Sequence, residues 1–123
     1  VGVFVVNVLI VDDNKAAADL LRELLTLQDH EARCSYTAQQ AMDAVAQEAF
    51  DAALVDLVLP DLPGAELAQR MRAEAGNKPL LLIAISGFGA DEAGAAPGLF
   101  DHHLQKPIDF EDLDRILAPP AAR

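Results

Sequence analysis

Short continuous apolar runs alternate along this chain with stretches in which apolar residues recur every three or four positions. Residues 5–11 form a continuous β-rich run ending in Asp12-Asp13, the pattern of a strand buried on both faces. Asn14 can cap the helix that follows, where Ala17, Leu20, Leu21, Leu24 and Leu25 recur at helical spacing. Residues 33–36 read as a short second strand. Thr37 caps a second helix through Phe50, with Ala41, Val45 and Ala49 on one face. Residues 52–55 make a third strand, closed by Asp56. Pro60, Pro63 and Gly64 mark a loop. Residues 65–75 form a third helix, with Leu67, Ala68 and Met71 as its core stripe and Gly76 as its stop. Residues 80–85 are a fourth buried strand, followed by Ser86-Gly87. Residues 90–97 are weakly helical, because Gly94 and Pro97 oppose a helix there, and a short or irregular fourth helix is expected. Residues 102–105 form a fifth strand leading to Lys106-Pro107. Asp109 caps a last helix through Ala118, with Phe110, Leu113, Ile116 and Leu117 facing inward.

Strands that alternate with helices, and are apolar throughout at the centre, imply a parallel sheet covered on both sides. The fold class is therefore α/β: a flavodoxin-like, doubly wound sheet of five parallel strands in the order 2-1-3-4-5, with five helices. Crossovers in such sheets are right-handed, and in open α/β sheets the functional crevice lies at the carboxyl ends of the strands. At 123 residues the chain suits one domain, expected over residues 1–118, with residues 119–123 as a linker stub or tail.

Composition narrows the function classes. The hydrophobic share of 52% is enough for a packed interior without cross-links, and aromatics at 5% leave Ala, Val, Leu and Ile to build it. The formal charge of −11 disfavours contact with a phosphate backbone, so direct nucleic-acid binding is not expected. Cys34 is the only cysteine, so no intrachain disulfide can form, which fits a reducing, cytoplasmic compartment. Its place in a strand suits a small buried hydrophobe. No run is long enough to span a bilayer, and the apolar opening lacks the basic flank of a signal peptide.

The strand ends carry the chemistry. The first strand ends in Asp12-Asp13, the third in Asp56, the fourth in Ser86 and the fifth in Lys106. Each residue alone has a plain reading: a helix cap, a turn, a surface lysine. Together, in the order 2-1-3-4-5, they put three carboxylates, a hydroxyl and an ammonium on one rim. Neighbouring carboxylates repel, and a hard divalent cation resolves the repulsion. Mg²⁺ takes oxygen ligands and keeps several waters. Asp13 and Asp56 can bind it directly, with Asp12 acting through water and the Val58 backbone carbonyl completing the protein ligands. A carboxylate can also attack phosphorus to give an acyl phosphate. The metal, Lys106 and Ser86 are the kinds of group that neutralise phosphoryl oxygens.

The stretches at residues 8–14, 50–60, 85–88 and 104–107 resemble the receiver domains of two-component response regulators, over about residues 6–118 in all. The resemblance implies that Asp56 is the phosphoacceptor, that Asp12 and Asp13 are the acidic pair for Mg²⁺, and that Ser86 is the switch hydroxyl beside Lys106. It implies a phosphohistidine donor, on a histidine kinase or a histidine phosphotransfer protein, and a signalling domain that assists its own phosphorylation and dephosphorylation rather than a stand-alone enzyme. His103 falls where the family usually carries a Tyr or Phe that changes rotamer on activation. Residues 100–109 look most like receivers fused to hybrid sensor kinases, so a fused kinase or output domain is also implied. Two departures stand out. Leu62-Pro63-Gly64 replaces the usual Met-Asp-Gly, and the span from Ser86 to Lys106 looks about two residues shorter than in typical members, which falls on the fourth helix.

Two other classes fit less well. A haloacid-dehalogenase-like phosphatase wants a second Asp two residues after its nucleophile, and here that residue is Val58. A degenerate receiver acting only as a scaffold would lack some functional positions, and all five are present. Metal binding by His102 and His103 is opposed by strand geometry, which points adjacent side chains to opposite faces. The Lys106–Pro107 bond is expected to be cis, swinging Lys106 back toward Asp56.

Overall fold

In the computed structural model, which describes residues 6–87 and 98–117, the apolar runs become five parallel strands. These are β1 (Asn7–Val11), β2 (Glu31–Ser35), β3 (Ala52–Asp56), β4 (Leu81–Ser86) and β5 (His102–Gln105). They pair in the order β2-β1-β3-β4-β5, all in parallel register. Four helices accompany them among the described residues: α1 (Lys15–Leu27), α2 (Ala38–Gln47), α3 (Gly64–Ala75) and α4 (Phe110–Leu117). The helix expected within residues 90–97 and the tail at 119–123 lie outside the described residues. No helix among them is long and apolar enough to cross a membrane.

Continuous apolar runs form the central strands because helices cover both faces of the sheet. Leu9, Val11, Ala53, Val55 and Leu82 pack toward α2 and α3, with Ala41, Leu67 and Met71. Val8, Ile10, Leu54, Ile83 and Ile85 pack toward the opposite layer, with Leu21 and Leu25 of α1 and Leu113 and Leu117 of α4. Each large side chain buried this way contributes about 1.5–3 kcal/mol.

The helix ends follow their sequence signals. Asn14 accepts the Ala17 N–H at 3.1 Å, and Thr37 Oγ1 accepts the Gln40 N–H at 3.1 Å. Gly76 closes α3 at φ 61°, a conformation that costs Gly little. The α3 N-terminus shows the effect of Pro63: no side chain caps it, since Pro carries no acceptor there.

Some expectations shift. The buried face of α1 is Ala18, Leu21 and Leu25, while Leu20 is 55% exposed. Leucines at 20, 21, 24 and 25 span more than one face, so their spacing alone did not select the buried stripe. Ala49 lies beyond the end of α2 and is exposed. β2 starts two residues earlier than expected, where Glu31 pairs with Asn7. Cys34 is only half-buried, with Sγ 3.4 Å from the Ala18 carbonyl oxygen.

Candidate functional site

Parallel pairing of β1, β3, β4 and β5 brings four strand ends together. The Asp12 N–H continues the β1–β2 pairing by donating to Ser35 O at 3.1 Å. Its side chain is only 1% exposed, and Oδ1 accepts the Asn14 N–H at 2.9 Å. Asp13, next along, is exposed. Asp56 pairs with Ile85 at the end of β3 and is 4% exposed. Its Oδ1 accepts the Val58 N–H at 2.9 Å, an Asx-type turn that fixes the carboxylate against its own loop. One carboxylate oxygen from each of Asp12, Asp13 and Asp56 lies within 4.8 Å of the others.

Lys106 reaches this cluster from β5. Its N–H donates to Ser86 O at 2.7 Å, prolonging the pairing of the last two strands. The Lys106–Pro107 bond is cis. Nζ lies 2.9 Å from Asp56 Oδ2 and 3.2 Å from Asp12 Oδ2. Partial burial works to lower the Lys106 pKa, but the hydrogen bond to Asp56 and the charges of Asp12 and Asp56 outweigh it, and the net direction is upward. Burial pushes the Asp12 carboxyl upward, against the pull of the Asn14 N–H and the Lys106 charge.

Three carboxylates and one ammonium leave excess negative charge in a site made of oxygen donors. That set fits a hard divalent cation such as Mg²⁺ and offers no soft ligand to a thiophilic one. Asp12, Asp13 and Asp56 can each offer it one oxygen, and Val58 stands two residues after Asp56 in the loop. The Val58 side chain itself is 61% exposed.

Ser86 is buried at the end of β4, and its Oγ lies 3.1 Å from His103 Nε2. His103 stands opposite Ala84, and Gln105 opposite Ser86. His103 is therefore a diagonal neighbour of Ser86 on one face of the sheet. The hydroxyl and the aromatic expected to act as a switch are joined by a hydrogen bond. This contact was open to a reader who knew the strand register, but not to one who had only the motif.

The loop from Leu57 to Pro63 holds a feature that sequence reading passed over. Asp61 accepts the Ala38 N–H at 2.9 Å and the Gln39 N–H at 3.0 Å. These N–H groups open α2, and they depress the Asp61 pKa below the ordinary carboxylate value. No local pattern signals a cap whose acceptor lies more than 20 residues downstream of its donors.

Comparison with known proteins places this geometry. The family model of the response regulator receiver domain matches residues 8–118. A CheY-like receiver domain from Methylobacillus flagellatus superposes with a TM-score of 0.84 at 37% identity, covering 93% of this chain and 97% of that one. The response regulator TrrA from Thermotoga maritima, solved in complex with Mg²⁺-BeF, shares the fold with a TM-score of 0.78 at 21% identity, covering 89% and 94%. The response regulator MprA of Mycolicibacterium vanbaalenii is 26% identical over 108 residues, 88% of this chain and 47% of that protein. The chain spans about half the length of the curated relatives it matches.

Proposed function

This chain belongs to the response regulator receiver domain family, and on that premise we propose that it is a phosphoacceptor switch carrying the phosphoryl group on Asp56. The observation that carries the reading is the placement of Asp56: buried at the end of β3, within a carboxylate cluster, and ion-paired to Lys106.

The donor is a phosphohistidine on a histidine kinase or histidine phosphotransfer protein. An Asp56 carboxylate oxygen attacks phosphorus, the P–N bond breaks, and its electron pair returns to the donor imidazole. The product is an aspartyl phosphate. Asp12, Asp13, Asp56 and the Val58 carbonyl would hold Mg²⁺, which would supply charge neutralisation at the phosphoryl oxygens. Lys106 gives up its place on Asp56 Oδ2 to follow a phosphoryl oxygen. The Ser86 hydroxyl donates to another, so its proton is no longer available to His103 Nε2, which can then only donate to Ser86 Oγ. The Ser86–His103 hydrogen bond is thus the contact through which the new charge reaches β5, and from there an output or phosphorelay partner. The chain acts in the cytoplasm as a signalling module.

The test is intact mass after incubation with acetyl phosphate and Mg²⁺. The parent chain is expected to gain one phosphoryl group, and Asp56→Asn none. Equal phosphorylation of both would remove Asp56 from the role.

A further inference from the structure

The first two N–H groups of α2, those of Ala38 and Gln39, have no partner within the helix. Asp61 takes both, one on each carboxylate oxygen, at 2.9 Å and 3.0 Å. The helix already has a cap of its own: Thr37 Oγ1 accepts the Gln40 N–H, and Thr37 O accepts the Ala41 N–H. A Ser or Thr at this position is a preferred helix start. The distinctive effect of Asp61 is therefore on its own loop, which it ties to a packed helix.

That loop runs directly from Asp56. At its start, Leu57 N–H donates to Ile85 O at 3.0 Å, and Val58 N–H donates to Asp56 Oδ1. At its end, Gly64 N–H returns to Leu57 O at 3.0 Å. Leu59 is buried in the layer beneath α2 and α3. Leu57 is also buried and Leu62 packs against the same core, but Val58, Pro60 and Asp61 among them are exposed. The paired hydrogen bonds of Asp61 are what anchor the loop's outer edge.

We infer that Asp61 is a positioning residue for the metal site: by clasping the N-terminus of α2 it fixes the loop from Leu57 to Leu62, and with it the backbone of Val58, whose N–H holds the Asp56 carboxylate. The inference rests on the reading of Val58 as a Mg²⁺ ligand. A ligand held in place before the ion arrives loses less freedom on binding it. Groups that orient a ligand therefore contribute to affinity without touching the metal. The same clasp couples α2 to the loop that borders the phosphoacceptor.

Calorimetric titration with Mg²⁺ alone tests this without any phosphoryl transfer. The proteins compared are the parent chain, Asp61→Ala, Asp61→Asn and Thr37→Ala, with Asp13→Ala as the control for a direct ligand. Asp61→Ala is expected to bind Mg²⁺ about tenfold more weakly, the low end of losses on removing groups that orient ligands. Asp61→Asn keeps one amide oxygen as acceptor and is expected to recover part of the loss. Thr37→Ala weakens the same helix end without touching the loop, and its Mg²⁺ affinity is expected to match the parent's. Amide exchange at Leu57–Leu62 should quicken in Asp61→Ala and not in Thr37→Ala. Parent-like affinity in Asp61→Ala overturns the inference, and so does an equal loss in Thr37→Ala, which would reduce Asp61 to an ordinary cap. If Asp61→Ala does not fold by circular dichroism, parent-like affinity in Asp61→Asn overturns it instead. Absence of Mg²⁺ binding by the parent chain itself would strike the metal reading under Proposed function, and this inference with it.

Discussion

Lys106 Nζ bridges two buried carboxylates, 2.9 Å from Asp56 Oδ2 and 3.2 Å from Asp12 Oδ2. In the absence of a cation it is the group that makes their proximity tolerable. Lys106→Met should therefore destabilise the metal-free protein. The loss expected is about 1–2 kcal/mol, below the ~3–5 of a fully buried pair because a third of the lysine side chain meets solvent. Urea unfolding in EDTA measures it, and saturating Mg²⁺ should close most of the gap between variant and parent. The Lys106 pKa is raised above the ordinary 10.5. Its contribution is then complete below pH 10.5 and lost as pH rises through the folded-state value. Equal stability of the two proteins in EDTA would contradict this account.

Asp13 differs from its neighbours in being exposed. Replacing it removes a proposed metal ligand without opening a cavity. Asp13→Ala is expected to lose Mg²⁺ affinity while its metal-free stability holds or rises, because one of three mutually repelling carboxylates is gone. Paired calorimetry and thermal unfolding check both halves. A variant that binds Mg²⁺ as the parent does would remove Asp13 from the ligand set.

How much of this was legible depended on whether the signal was local. The runs ending in Asp12-Asp13, Asp56 and Ser86 announce doubly covered strands, and an α/β crossover pattern allows few strand orders, so the meeting of those carboxylates with Lys106 followed from topology. The start of β2 did not, because Glu31-Ala32-Arg33 lies on an edge strand where only one neighbour enforces burial. The exposure of Leu20 was hidden by leucines on adjacent faces of α1. The Asp61 clasp was out of reach for a different reason: its donors are separated from it by the rest of α2 and all of β3. Only the assembled fold shows that contact.

Tyr36 gives a spectroscopic check on the packing of α1 against β2. Its hydroxyl donates to Asp19 Oδ1 at 2.6 Å, and the Lys15 ammonium lies 5.5 Å from the ring centroid. The hydrogen bond to the Asp19 carboxylate stabilises the protonated phenol and pushes its pKa from 10.0 up to about 12. The chain has one Tyr and no Trp, so ultraviolet titration reports this group alone. Ionisation is expected near pH 12, and Asp19→Asn should bring it back toward 10. With the folded-state value raised, the contribution to stability is complete below pH 10 and lost as pH rises through about 12. Ionisation of the parent near the ordinary value would show that the bond is not kept in solution.

Gly64 is the point where helix α3 presses against the backbone of Asp56, the proposed phosphoacceptor. A Cβ built on it would overlap the Asp56 carbonyl oxygen and stand 2.6 Å from Leu57 Cα. Both obstacles are main-chain atoms, and Leu57 is further held by its bond to Ile85. Neither can yield as the end of a flexible side chain does. Gly64→Ala must therefore move the end of β3 or lift α3, at about 1–3 kcal/mol for an overpacked site. Gly76→Ala supplies the contrast. Nothing lies within 4 Å of its added Cβ, and its φ of +61° is the source of strain. A cost of about 1–3 kcal/mol is expected there too, from backbone conformation alone. Stability by itself does not separate the two substitutions, but Mg²⁺ affinity does. Gly64→Ala displaces the residue bearing the Asp56 carboxylate and should weaken Mg²⁺ binding along with stability. Gly76→Ala, at the far end of α3, should leave binding as it was. Urea unfolding and Mg²⁺ calorimetry on the same samples decide it: parent-like Mg²⁺ affinity in a destabilised Gly64→Ala would mean that α3 lifts and the site is indifferent to the contact.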